Sequence, residues 1–267
     1  MEVKEGILHE VCLRKRDVTA ELMLRWVDVV SNLILPDSMC IKTVADNHFV
    51  NYDAEQLKEE IESEELQKDI YIKLYVADQH FTVREKKEND RVIFSLDILK
   101  ENYDQKLERM IEEVMCKGYG ISASMCSSRD NFLQSIEDMN WYRYYGLSLE
   151  NVKTTFSKVG LKEEIVDIEY NPGHHHLEEG IRFASDFYMW FGKDFYQYIS
   201  KERLKAFSNC YENIELENDV IRIKLYEDMW EYDNSVNRKR QWDFRKSVGI
   251  DEVAHVLYDK KMKRIKG

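Results

Sequence analysis

An α+β fold, a largely antiparallel sheet packed by helices, is predicted by three features of the sequence. Segments in which β-branched and aromatic residues alternate with polar ones recur along the chain. Two longer segments repeat apolar residues at helical spacing. The two kinds do not alternate regularly enough for a doubly wound parallel sheet.

The alternating segments predict strands at Ile7–Leu13, Met39–Val44, Ile70–Val76, Arg91–Leu96 and Ile165–Tyr170. The cleanest is Val220–Tyr226, where Ile221, Ile223 and Leu225 share one face. Helical spacing predicts a helix over Val18–Ile34 from Leu22, Trp26, Val29, Val30, Leu33 and Ile34, with Pro36 beyond an end it cannot extend. A second helix over Leu99–Cys116 rests on Tyr103, Leu107, Met110, Ile111, Val114 and Met115, with Gly118 as its stop. Glu and Lys dominate Asp53–Lys68, leaving a thin apolar stripe of Leu57, Ile61 and Leu66 as on an exposed helix. The order strand, strand, helix, strand from Ile70 to Met125 is compatible with a ferredoxin-like half. With two prolines, ten glycines and no Pro-rich or Gly/Ser-rich linker, residues 1–267 read as one compact unit, with 1–128 and 129–267 as possible subdomains.

Composition narrows the function. Hydrophobic residues make up 43% and charged residues 34% of the chain, a mixture that folds rather than remaining disordered. The 51 acidic and 39 basic side chains give a formal charge of -12, which disfavours phosphate-backbone binding and hence nucleic acid as a partner. The same charge favours solubility and steering toward basic partners. Cys12, Cys40, Cys116, Cys126 and Cys210 are odd in number and form no C-x-x-C pair, as in a reducing compartment. Glu2, Lys4 and Glu5 open the chain without a signal-peptide pattern, and no apolar run approaches the ~18 residues of a membrane span. The expected location is the cytoplasm, away from membranes.

Catalytic signatures are sparse. The chain has no G-x-x-x-x-G-K-[ST] or G-x-G-x-x-G phosphate cradle, so no nucleotide cofactor is expected. Gly120-Ile121-Ser122-Ala123-Ser124 lacks the second glycine of an esterase elbow. The basic cluster Arg238, Lys239, Arg240, Arg245 and Lys246 reads as a solvated helix face, diluted by Asp243 and the acidic run Glu227–Asp233. His174, His175 and His176 follow Asn171-Pro172-Gly173, which fits a type II turn. On an extended chain adjacent side chains oppose each other, so His174 and His176 could share a metal ion, with further ligands from elsewhere. Solvated turn histidines are the plainer reading.

The aromatic tract from Trp141 to Phe207 is the most unusual feature. Phe187, Phe191 and Phe195 recur at the spacing of a buried helix stripe, so part of the tract is core. Trp141, Tyr142, Tyr144 and Tyr145, with Tyr188 and Tyr198, are the candidates for recognition, since amphipathic rings are enriched at protein interfaces.

Four short segments carry a resemblance: Trp141-Tyr142-Arg143-Tyr144-Tyr145-Gly146, Leu149-Glu150-Asn151-Val152, Asn171-Pro172-Gly173 and Trp190-Phe191-Gly192-Lys193-Asp194-Phe195-Tyr196-Gln197-Tyr198-Ile199. Together they resemble uncharacterised bacterial proteins of the immunity type found in polymorphic toxin systems. The resemblance implies an acidic, cytoplasmic, non-enzymatic protein that neutralises a toxin by capping it, and it carries no residue-by-residue binding roles. The expected function is therefore a non-catalytic protein-binding protein without a cofactor. The alternative is a metal-dependent hydrolase using His174 and His176.

Overall fold

The computed structural model describes residues 4–41, 50–64, 66, 69–150, 152–157 and 162–266. The first half runs β1 (Gly6–Arg14), α1 (Ala20–Ile34), β2 (Ser38–Ile41), β3 (Val50–Asn51), α2 (Ala54–Glu62), β4 (Tyr71–Val76), β5 (Gln79–Lys86), β6 (Arg91–Leu99), α3 (Lys106–Cys116) and β7 (Gly120–Ser127). The second half adds α4 (Ser128–Ser135), α5 (Met139–Tyr144), β8 (Thr154–Phe156), β9 (Glu164–Val166), β10 (His175–Glu178), β11 (Ile181–Ala184) and β12 (Tyr188–Phe191). It closes with α6 (Lys201–Lys205), β13 (Glu212–Glu215), β14 (Ile221–Lys224), α7 (Ser235–Val248) and α8 (Ile250–Lys266).

A ten-stranded sheet in the order β13-β14-β12-β7-β1-β6-β5-β4-β2-β3 draws strands from both halves of the chain. Its neighbours pair antiparallel, as the α+β reading expects. The segment Ile70–Met125 runs as a β4-β5-β6 meander, then α3, then β7, which pairs with β1 and β12. The remaining strands form two small hairpins, β10-β11 and β8-β9.

One face of the sheet is apolar. Val11, Phe94 and Val83 stand opposite one another across β1, β6 and β5, and α1 lays Trp26 onto Phe94 and Phe81 at ring-centroid distances of 5.3 and 6.2 Å. The Thr19 hydroxyl accepts from Leu22 N–H at 3.1 Å to start α1. Leu35 in the left-handed region and then Pro36 end it. Arg25 of α1 pairs with Glu113 of α3, so the two helices lie side by side on this face. Leu57, Ile61 and Leu66 are buried as the stripe predicts. Residues 42–44 of the expected strand and 65, 67 and 68 of the expected helix lie outside the described residues.

The opposite face is polar beneath a cover of hairpin and helix. Glu10 of β1 stands opposite Ser124 of β7, and Cys12 opposite Ser122. Above them β11 supplies Arg182, whose guanidinium binds Asp186 at 2.7 and 3.1 Å and Asn131 of α4 at 2.8 Å. Burial pushes the Cys12 thiol up to about 12 and raises the Cys126 thiol well above its ordinary value, so these cysteines are inert.

The aromatic tract departs from its expected helix. Phe187, Phe191 and Phe195 do not form a helical stripe: Tyr188–Phe191 is strand β12, and Phe195 lies in a 3-10 turn. Both faces of β12 are covered, so all four of its residues are buried. Such a strand reads as a continuous apolar run that periodicity cannot separate from helix. β7 is buried along its whole length: Ile121, Ala123 and Met125 join the apolar core, and Ser122 and Ser124 between them stand opposite Cys12 and Glu10 on the polar face.

His9 of β1 is 1% exposed, neither ring nitrogen has a hydrogen-bond partner among the described residues, and its ring stacks on Tyr103 at 6.4 Å. Burial lowers its pKa from 6.5 to about 3. The unfolded chain then takes up a proton below about pH 6.5 that the folded chain refuses, so His9 leaves stability intact above that pH and removes it as the pH falls toward 3. His9→Phe keeps the ring and removes this proton sink. Urea unfolding is expected to show the variant gaining about 2 kcal/mol on the wild type between pH 7 and pH 4.5, whereas parallel pH profiles would exclude His9 as a source of acid lability.

Candidate functional site

The described residues between 128 and 170 build a small lobe with its own core, in which Ile136, Tyr142 and Val166 are buried with Phe132, Met139, Leu147, Leu149, Val152 and Ile168 packed around them. Asp138 caps α5 by accepting from Asn140 N–H at 2.8 Å. One face of α5 sinks Tyr142 into the lobe core. The other presents Trp141 and Tyr144, 46% and 55% exposed. Their rings interlock with Tyr145 and Phe132: Trp141 meets Tyr144 edge-on at 5.7 Å and stacks on Tyr145 at 5.9 Å, and Phe132 meets Tyr145 edge-on at 5.1 Å. Each ring therefore holds its neighbour in one orientation. Exposed Glu137 and Asp138 border this aromatic ledge.

The six aromatic residues singled out in the sequence thus separate. Trp141, Tyr144 and Tyr145 share the ledge, while Tyr142 supports it from beneath. Tyr188, 7% exposed, belongs to the core of the central sheet. Tyr198 packs against Phe183 and Phe195 and donates its hydroxyl to Glu179 at 2.8 Å, with Arg91 donating to it at 2.5 Å. The ledge and the latter two sites are on different elements.

The lobe ends in a second constellation. A 3-10 turn over Ile168–Tyr170 presents Glu169, after which the chain turns through Asn171–Gly173, closed by His174 N–H to Asn171 O at 3.2 Å. Gly173 does not take a positive φ, so the turn is not type II as expected. Space explains the glycine: a Cβ would come within 2.9 Å of Gln134 Cγ and 3.2 Å of Arg238 Nη1. His174 and His176 then project to one side and His175 to the other, where its Nδ1 meets Ser135 Oγ at 2.7 Å.

Helices α7 and α8 complete the cluster. Gly249, at φ +68, takes the left-handed conformation that lets α7 end and α8 begin at once. Arg245 therefore lies in the last turn of α7 and Asp251 in the first turn of α8, each complementing its helix dipole. The Arg245 side chain has no exposed surface. Its Nη1 donates to His174 O at 2.7 Å and Ser185 Oγ at 3.1 Å, its Nε to Asp251 Oδ2 at 3.1 Å, and its Nη2 to Asp251 Oδ1 and to His174 Nε2. The basic cluster read as a solvated helix face is thus divided. Lys239 and Lys246 are exposed, Arg245 is interior, and Arg238 pairs with buried Asp130 at 2.6 Å.

Glu169, His174, His176 and Asp251 point one ligand atom each into a common space, all within 4.8 Å of one another. His174 is fully buried, and its Nδ1 donates to Asn171 O at 2.6 Å, so Nε2 is the ring atom facing the cluster, accepting from Arg245 when the ring is neutral and donating to Asp251 or Glu169 when it is protonated. His255, one turn beyond Asp251, reaches Glu169 Oε1 at 3.0 Å. Burial opposes charge on His174, but hydrogen bonds to Asp251 and Glu169 outweigh it and raise its pKa. Against the same opposition from burial, His174 and Arg245 hold the Asp251 carboxyl down to about 2. The hydrogen bond from His174, then that from His176, holds Glu169 far below the carboxylate range. Such a set can hold a divalent cation or, without one, shared protons.

The sequence alone does not single out Glu169, Arg245, Asp251 or His255. One usable signal is Asp251 and His255 at i, i+4 spacing, which fall on the same face of a helix.

No family model matches the chain, and no curated protein matches it. Among solved structures, the fold is similar to that of a Pseudomonas aeruginosa T6SS (type VI secretion system) protein, with a TM-score of 0.53 and 8% identity, over 92% of this chain and 76% of that one. At that identity the likeness is one of fold.

Replacing Arg245 by Met leaves the carbonyl of His174, Ser185 and Asp251 without their shared donor. Loss of one partner from a buried, hydrogen-bonded charge network costs about 3–5 kcal/mol, which urea unfolding should detect, whereas Lys246→Met on the exposed face should change stability by less than about 0.5 kcal/mol. Equal small effects for both would mean that Arg245 does not hold the junction.

Proposed function

We propose that this chain is a non-catalytic, cytoplasmic protein-binding protein of the immunity type, which caps a basic toxin through the aromatic ledge of Trp141, Tyr144 and Tyr145. The observation that carries the reading is the ledge itself. Two large rings are held half in solvent by neighbouring rings and ordered by a small core beneath them, the arrangement of an anchor that loses little side-chain freedom on binding.

Two further observations favour it. Glu137 and Asp138 beside the ledge, within a chain of formal charge -12, would steer a basic partner to it. The fold likeness to a T6SS protein is compatible with a secretion-associated role. Charge sets the encounter and aromatic burial the residence time.

The test pairs the purified chain with an inactivated secreted toxin encoded beside its gene, measured by calorimetry and stopped flow. A stoichiometric complex is expected whose association rate falls as salt rises from 50 to 300 mM. Trp141→Ala with Tyr144→Ala should weaken it by about 30-fold or more while leaving the folded spectrum unchanged. Unchanged affinity in the double variant would remove the ledge from the interface.

A further inference from the structure

We infer that Glu169, His174, His176 and Asp251 form a structural zinc site that staples the 128–170 lobe and the β10 hairpin to the N-terminus of α8. The inference does not depend on the protein-binding reading.

The distances between the ligand atoms carry it. His174 Nε2 lies 3.2 Å from His176 Nε2, 3.6 Å from Glu169 Oε2 and 3.5 Å from Asp251 Oδ1. His176 Nε2 lies 3.4 Å from Glu169 Oε1 and 3.9 Å from Asp251 Oδ1. Zinc bonds to nitrogen and oxygen of about 2.0–2.1 Å make tetrahedron edges of roughly 3.3–3.4 Å. These five separations, which involve both Glu169 oxygens, run from 3.2 to 3.9 Å, and one ligand atom from each residue lies within 4.8 Å of the others. Rotation of Glu169 and a modest closing of the cluster would therefore bring four atoms to bonding distance.

The surroundings fit a metal as well. His174 has its Nδ1 committed to Asn171 O at 2.6 Å, the backbone-carbonyl support usual for a metal-binding imidazole, and this fixes Nε2 as the ligand atom. His255 steadies Glu169 from outside. With the histidines neutral, as zinc ligation requires, two carboxylates against the one guanidinium of Arg245 leave one negative charge for a cation to neutralise. Arg245 Nη2, at 2.6 Å from His174 Nε2, would give up that contact on loading. Its Nη1 and Nε would keep the His174 carbonyl, Ser185 and Asp251. Four protein ligands fill a tetrahedral zinc, which makes the site structural; a catalytic zinc keeps one position for water.

The experiment measures zinc per chain on the full-length protein, equilibrated with zinc sulfate and then dialysed, alongside its melting temperature with and without a chelator. The expected result is one zinc per chain, a fall in melting temperature of roughly 5 °C or more on chelation, recovery on adding zinc, and loss of both responses in His176→Ala. Glu169→Gln serves as a second variant should His176→Ala not fold. The cobalt(II) form of the wild type should show the intense visible bands of tetrahedral coordination. Wild type that retains no metal and melts identically with chelator overturns the inference, as does a folded His176→Ala or Glu169→Gln that keeps a full equivalent of zinc. The first outcome would leave Arg245 alone holding the cluster together.

Discussion

The C-terminal half is organised around a charge that water cannot reach. The Arg245 guanidinium, with no exposed side-chain surface, has to find its acceptors inside the protein, and it finds them on three separate segments: the carbonyl and ring of His174, the hydroxyl of Ser185 and the carboxylate of Asp251. A buried guanidinium left short of partners is costly, so each of these segments is fixed in place by the same side chain. Gly249 makes this possible, because its left-handed conformation lets the last turn of one helix and the first turn of the next face the same point.

From that junction the two candidate sites are linked through the chain. His174 and His176 lead into the β10-β11 hairpin, whose Arg182, paired with Asp186 just beyond β11, faces Glu10 on the polar side of the central sheet. Glu169 ends the lobe whose other end raises Trp141 and Tyr144 into solvent. The order of the aromatic ledge therefore rests on contacts at both ends of the lobe. Its small core holds the rings from below, and the histidine and carboxylate cluster anchors the returning chain.

What the sequence revealed follows from which surfaces are one-sided. α1, α3, β1, β4, β6 and β14 carry their apolar residues at regular spacing and were legible from it. β12 is covered on both faces, so it mimics a helix core, whereas β7 alternates Ile121, Ala123 and Met125 with Ser122, Ser124 and Cys126 and is legible as the strand that closes Ile70–Met125. The histidine pair was visible because alternation along a strand is local. Its partners were not, since Arg245 and Asp251 come from helices some 70 residues later, and only tertiary packing brings them near. The same distance in sequence hides the burial of Tyr188 and the interior position of Arg245.

Hydrogen exchange on Arg245→Met reads out whether Arg245 couples the lobe, the β10 hairpin and the start of α8. Coupling through Arg245 requires that protection fall together in residues 164–170, in His175–Glu178 and in the first turns of α8, while β1, β6 and β7 exchange as in the wild type. Loss of protection confined to α7, or spread evenly through the central sheet, would contradict it.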